Sequence, residues 1–144
     1  DIMYYIKSIM NNNKFKILEY FYYFSLVILF ILYLYPGSLI GYLFYGNLSQ
    51  QPDLISNPIG TSINHLISFI CLSSLAFIVR VREKKFINSF QFLLFISILL
   101  EILHYFIPNR AFEYYDLFAN FTGVAFTYLL IQLILKVKKK YENI

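Results

Sequence analysis

The sequence predicts an all-α integral membrane protein with four transmembrane helices and both termini in the cytoplasm, and three observations predict it. First, 59% of the 144 residues are hydrophobic and 14% are charged, against about 45–50% and about 25% in ordinary soluble domains. A single domain of this length keeps too much of its chain at the surface to hide that apolar area from water. Second, four apolar stretches each have the length of a bilayer crossing. Third, the basic residues gather at the ends of those stretches. The same composition excludes a disordered chain, and residues 1–144 read as one membrane domain.

A crossing needs roughly 20 mainly apolar residues at 1.5 Å each to span a hydrocarbon core of about 30 Å. The first runs from Ile17 to Pro36, with Glu19 as its only charge. It lacks a small-residue cleavage site downstream and reads as a retained span, not a signal peptide. The others are Ser62 to Val79, Phe86 to Ile107 and Leu117 to Leu135. Each is apolar on most faces, unlike a helix with one wet side, and the alternation that a membrane barrel needs is missing. Asn11, Asn12 and Asn13 read as a polar loop before the first span. Between the first two spans, Leu39–Tyr45 (LIGYLFY) reads as an interfacial loop in the headgroup region ahead of a substrate lid. Gly37, Gly41, Gly46 and Gly60 permit turns around it, and Pro52 and Pro58 interrupt helices. Asn47-Leu48-Ser49 matches a glycosylation triplet, a short and weak pattern.

Charge orders the spans. Lys7, Lys14 and Lys16 precede the first; Arg80, Arg82, Lys84 and Lys85 link the second and third; Lys136, Lys138, Lys139 and Lys140 follow the fourth. With four spans these clusters share one face and hold 11 of the 12 basic residues, leaving Arg110 opposite. The positive-inside rule makes that face cytoplasmic. The net charge of +4 therefore reads as anchoring beside anionic lipid heads, with no nucleic-acid partner. Aromatics make up 21% of the chain, all Phe and Tyr. Tyr20, Tyr22 and Tyr23 are expected in the inner interfacial belt, and Tyr33 and Tyr35 in the outer one. The single cysteine, Cys71, lies in the second span and is expected as a small buried hydrophobe. Gly123, Ala119 and Ala125 are small enough to let helices approach closely.

Away from the anchors, polar residues recur at one depth. Counting along the helices places His65, Glu101 and Asn120 on the order of 6–10 Å inside the outer boundary. Glu101 and His104 are three residues apart and Asp116 and Asn120 four apart, each pair on one helix surface. Arg110 follows Pro108 in the outer turn. An unpaired charge in hydrocarbon costs several kcal/mol, so a polar pocket is expected, with Glu101 pairing His65 or His104 and Asp116 pairing Arg110. Asp116 also suits the start of a helix, where a carboxylate accepts free N–H groups. His65, Glu101, His104 and Asp116 offer nitrogen and oxygen ligands for a divalent ion, but their spacing matches no metal motif. Without metal or cofactor, two readings use nearly the same residues: a carboxylate–histidine general base with Arg110 on a phosphate, and simple binding of an anionic headgroup.

His65 followed by Phe69, Glu101 with a polar residue at 104, the turn Pro108-Asn109-Arg110, and Asp116, Asn120 and Gly123 in the pattern DxxxNxxG together resemble the VanZ-like family of small bacterial membrane proteins. The resemblance covers about residues 58–130. Thr61 and Ser62 stand where members often carry an Asp-Lys pair, His104 where Gln is common, and Thr127 where a second Gly often follows. The family is named for a protein linked to teicoplanin resistance, and its members are proposed to act at the cell envelope on lipid-linked or surface molecules. The resemblance implies a bacterial inner-membrane protein with an envelope role, and not resistance itself.

The expected activity is binding or modification of an anionic, lipid-linked envelope molecule at an outward-facing site. Glu101, His65, His104 and Asp116 are its candidate catalytic residues, and Arg110 and Asn120 its substrate-binding ones. Membrane lipids are the expected partners. A second reading, a non-catalytic accessory subunit of a larger membrane complex, rests on the small size and the many aromatics facing lipid. A channel is disfavoured, because four helices make a poor pore and no inverted repeat is visible.

Overall fold

Capping residues and prolines set the helix ends in this chain. A computed structural model describes residues 11–52 and 60–142, so the expectations placed on Lys7 and Pro58 lie outside the described residues. Among the described residues all regular structure is helical: α1 (Asn12–Leu34), α2 (Leu39–Tyr45), α3 (Gly60–Arg80), α4 (Phe90–Leu103) and α5 (Tyr114–Glu142), with 3-10 turns at Phe86–Asn88 and His104–Phe106. The asparagine tract is not a loop. Asn11 caps α1 by accepting from the Lys14 backbone N–H at 3.0 Å, and Asn12 and Asn13 are already helical. A side-chain oxygen at that position satisfies a donor the helix leaves free. At its other end α1 stops before Pro36, with Tyr35 extended, the conformation a following proline favours.

α1, α3 and α5 are long and apolar enough to cross a membrane. The stretch Phe86–Ile107, expected as one span, is divided. Ser89 starts α4 by accepting from the Phe92 N–H at 3.1 Å. Pro108 forces Ile107 into an extended conformation, so the helix tightens to a 3-10 turn and ends. The continuous α-helix is 14 residues long.

LIGYLFY is helical too. Ser38 caps α2 by accepting from the Gly41 N–H at 2.9 Å, and Gly46, at φ 66°, closes it in the left-handed conformation. Gly41 lies against the returning loop, where a Cβ would stand 1.6 Å from the Gln50 carbonyl oxygen. The rest of α2 projects Tyr42, Leu43, Phe44 and Tyr45 outward. Asn47 of the glycosylation triplet accepts from the Ser49 N–H in a local turn.

The core joins Tyr22, Leu26, Leu29 and Tyr33 of α1 to Phe69, Leu72, Ala76 and Val79 of α3, Leu93, Ile96 and Leu100 of α4, and Val124 of α5. Two belt expectations are corrected here. Tyr22 is fully buried and donates to the Ile87 carbonyl at 2.5 Å, and Tyr33 is buried as well. Their spacing of four, three and four with Leu26 and Leu29 is one helix face, and that face turns inward. Cys71 corrects in the other direction: it is exposed, because Phe69, Leu72, Ser73 and Ala76 take the inner face of α3. α3 and α5 approach closely at Gly123, where a Cβ would lie 2.7 Å from the Leu66 carbonyl oxygen and 2.9 Å from Phe69 Cβ.

Among the described residues, the basic clusters share one end of the bundle, with Arg110 at the other. Lys85 Nζ lies 3.2 Å from Glu19 Oε1 near the start of α1. Arg82 bonds Asn12, and its guanidinium stands 5.2 Å from the Phe15 ring centroid. α5 begins beside the polar cluster at the opposite end and carries Lys136 and Lys138 back toward this one.

Candidate functional site

At the end away from the basic clusters, four helices deliver polar side chains to one buried point. α1 contributes Tyr33, α3 contributes Ser62 and His65, α4 contributes Glu101, and α5 contributes Asp116 and Asn120; His104 opens the 3-10 turn after α4. Glu101 and Asn120 have no exposed surface, and His65, His104 and Asp116 are buried. The residues singled out in three separate stretches of sequence therefore meet.

The network has a definite connectivity. Glu101 Oε1 accepts from the Glu113 backbone N–H at 3.1 Å and faces His104 Nδ1 at 3.3 Å. His104 Nε2 lies 3.1 Å from the Tyr33 carbonyl oxygen, an acceptor. Asn120 Nδ2 points to the Ser97 carbonyl and to Glu101 Oε2, each at 3.4 Å. Its Oδ1 accepts from the Tyr33 hydroxyl at 2.8 Å. That hydroxyl is also 2.8 Å from His65 Nδ1. Asp116 Oδ1 accepts from Ser62 Oγ at 2.5 Å, and Oδ2 stands 3.5 Å from His65 Nε2. Asp116 sits in the first turn of α5, where the helix dipole favours its negative charge.

Arg110 departs from expectation. It does not pair with Asp116. Its Nε donates to the Tyr35 carbonyl at 3.3 Å and a terminal nitrogen donates to the Leu32 carbonyl. These carbonyls belong to the end of α1, whose last turn lacks helical donors, and a guanidinium suits that gap. Burial pulls the Arg110 pKa below its ordinary value, with Glu101 and Asp116 acting the other way. Two of its five N–H groups are engaged, leaving three available.

The residue missed in sequence is Tyr33. It contacts His65 and Asn120 through its hydroxyl, and its ring stacks on His104 with centroids 5.4 Å apart. Its place on the Tyr22–Leu26–Leu29–Tyr33 face was the available signal. Ser62, the partner of Asp116, was marked only as a departure from the VanZ-like pattern.

A cavity of about 90 Å³ opens beside the cluster, between the end of α1, α2 and α3. Tyr33, Asn64, His65, His104 and Arg110 line it, while Glu101 and Asp116 stand behind the histidines. A larger groove of about 650 Å³ near the basic end is lined by Phe77, Arg80, Lys84, Phe90, Tyr128 and Gln132 among others, with no histidine or carboxylate. Of the two, the smaller cavity is the one lined by histidines.

Glu113 flanks the site without entering it. Burial raises its carboxyl pKa, and the charges of Asp116 and Glu101 add to the shift. A carboxyl raised on folding weakens the folded state above its unfolded pKa, about 4.3, and has no effect where both states are protonated. Glu113→Gln is therefore expected to raise the melting temperature at pH 7, with the gain vanishing below about pH 4. An equal gain at both pH values in thermal unfolding would contradict this.

No family model, curated protein or solved structure matches the chain. The fold and the site thus define a class from geometry alone: a helical bundle of membrane-spanning character with a buried His–carboxylate–Tyr network at one end.

Proposed function

We propose that the protein is a four-span bacterial inner-membrane protein, with both termini in the cytoplasm, whose outward-facing site binds the anionic headgroup of a lipid-linked envelope molecule. In this reading α4 with its flanking 3-10 turns is the fourth crossing, and the basic end faces the cytoplasm under the positive-inside rule. α2 lies at the outer interface with its aromatic residues at headgroup level.

The observation that carries the reading is that His65, His104 and Arg110 share one small cavity while Glu101 and Asp116 sit behind the imidazoles. A phosphate entering between α1, α2 and α3 meets the free N–H groups of Arg110, which can bind two of its oxygens at once. His104, with both nitrogens engaged, positions the wall. The His65–Asp116 and His104–Glu101 pairs supply the acid–base groups for modifying a bound headgroup. This agrees with the envelope role that the VanZ-like resemblance implies.

Two measurements test it. Protein purified in mild detergent is expected to retain phospholipid phosphorus, and Arg110→Gln to lose most of it with the fold intact by circular dichroism. Phosphorus content equal in both proteins, or absent from the wild type, would sink the headgroup reading, and a stoichiometric protein partner would favour the accessory-subunit reading instead. A fluorescent-protein fusion at the C-terminus should fluoresce, whereas activity of a periplasmic reporter there would reverse the topology.

A further inference from the structure

The hydrogen bonds around His65 fix which of its nitrogens carries the proton. Asn120 Nδ2 faces two acceptors, the Ser97 carbonyl and Glu101 Oε2, so Asn120 Oδ1 is turned to Tyr33 and His65. That oxygen needs donors. The Tyr33 hydroxyl supplies one at 2.8 Å. With its single proton spent there, the hydroxyl oxygen must accept from His65 Nδ1 at 2.8 Å, and the same N–H points at Asn120 Oδ1, 3.2 Å away. His65 therefore carries its proton on Nδ1, and in the neutral ring Nε2 is a bare acceptor. Nε2 faces Asp116 Oδ2 across 3.5 Å, so two acceptors oppose each other. Among the described residues no N–H or O–H group bonds either atom. His65 is only 9% exposed, so the pair is largely shielded from bulk solvent, and a group bridging the two atoms would relieve the conflict.

We infer that this gap is a divalent-cation site, with His65 Nε2, Asp116 Oδ2 and the Glu101 carboxylate as its protein ligands. Two ligands at tetrahedral angles on an ion with bonds of about 2.0–2.2 Å lie about 3.4 Å apart, close to the 3.5 Å between Nε2 and Oδ2. One ligand atom from each of His65, Glu101 and Asp116 lies within 4.8 Å of the other two; Glu101 Oε2 stands 4.0 Å from Nδ1 of the same imidazole, so its carboxylate joins the ion by a side-chain shift of up to about 1.4 Å. Outer partners are in place. Ser62 orients the other Asp116 oxygen, Tyr33 and Asn120 hold the far side of the imidazole, and His104 and the Glu113 N–H hold Glu101. Metal-binding histidines and carboxylates characteristically carry such partners. One imidazole with two carboxylates suits zinc or manganese better than magnesium or a soft ion.

Charge supports the assignment. His104 faces an acceptor at each nitrogen, Glu101 Oε1 and the Tyr33 carbonyl oxygen. Two carboxylates meet beside Arg110, which bonds backbone carbonyls of α1 with two of its N–H groups and keeps three for the cavity. A divalent ion adds positive charge to that arrangement. It does so beside the cavity that His65 also lines, where the ion would act as a Lewis acid on a phosphate oxygen. The link to a phosphate rests on the headgroup reading above; the ion site itself does not.

The test uses full-length protein in detergent, stripped with a chelator and titrated separately with Zn²⁺, Mn²⁺ and Mg²⁺. About one Zn²⁺ or Mn²⁺ per chain is expected, with Mg²⁺ much weaker. Asp116→Asn should weaken binding more than tenfold and abolish the rise in melting temperature that Zn²⁺ gives the wild type. If Asp116→Asn fails to fold, Ser62→Ala should still weaken binding by roughly tenfold, the scale of outer-partner effects. Absence of stoichiometric binding, or equal affinity in the wild type and the variants, overturns the inference. Phospholipid phosphorus measured on the same samples separates the two readings. Metal-free protein that binds no ion yet retains phosphorus overturns the ion site alone. Ion binding without retained phosphorus overturns the headgroup reading alone.

Discussion

Gly123→Ala is expected to destabilise the bundle by about 1–3 kcal/mol, the usual penalty for an atom forced into a packed interior. The new methyl would meet the Leu66 carbonyl oxygen at 2.7 Å, Phe69 Cβ at 2.9 Å and the Ile70 nitrogen at 3.2 Å. Two of these belong to the backbone of α3, which cannot turn aside as the end of a flexible side chain can. Relief requires α3 and α5 to separate, and that would move His65 away from Asp116 and Asn120. A small-residue contact of this kind is a principal source of helix association in lipid, where no hydrophobic force holds helices together. Gly123→Val should cost more. Phe118→Leu, on the exposed face of α5, should stay within about 0.5 kcal/mol of wild type. Thermal or denaturant unfolding in one detergent checks the series, and a Gly123→Ala protein as stable as wild type would refute the close contact.

Glu101→Ala is expected to cost about 3–5 kcal/mol, the range for removing one partner of a buried ion pair. The carboxylate serves the Glu113 N–H, His104 Nδ1 and Asn120 Nδ2, and alanine leaves all three without it in a place of no exposure. Each buried group left unpaired carries its own desolvation penalty. Glu101→Gln keeps an oxygen for the Glu113 N–H and should lose much less stability. The two variants separate structure from function: Glu101→Gln should fold while altering ligand retention. If Glu101→Ala unfolds no more readily than wild type, the network contributes little and the site has been misjudged.

Much of the site was legible because helix geometry is rigid. A rise of 1.5 Å per residue was enough to put His65, Glu101 and Asn120 at one level before any contact was known, and spacings of three and four placed Glu101 beside His104 and Asp116 with Asn120. What failed were judgements with two physical solutions. A tyrosine near a span end suits the lipid interface and a buried hydrogen bond equally well, and Tyr33 took the second. Opposite charges suggested an Arg110–Asp116 pair, but the unpaired carbonyls at the end of α1 also attract a guanidinium. Asp116 found Ser62 and His65. Hydropathy joined Phe86 to Ile107 into one stretch because it does not register that Ser89 starts a helix or that α-helical geometry gives out at Leu103, five residues before Pro108. Cys71 shows the limit of composition: a small apolar residue in a membrane helix is equally at home facing lipid or core.

The shortness of α4 has a consequence for the bilayer. On the four-span reading, the continuous helical stretch Phe90–Phe106 rises about 27 Å, a little short of a hydrocarbon core of about 30 Å. A bilayer meets a short crossing by thinning around it, at a modest cost per ångström. Glu101 lies in the last turn of α4, so the thinning would fall beside the site, drawing the outer headgroups inward toward His65 and Arg110. The lipid would then come part of the way to the protein, and a headgroup would reach the cavity without leaving its leaflet.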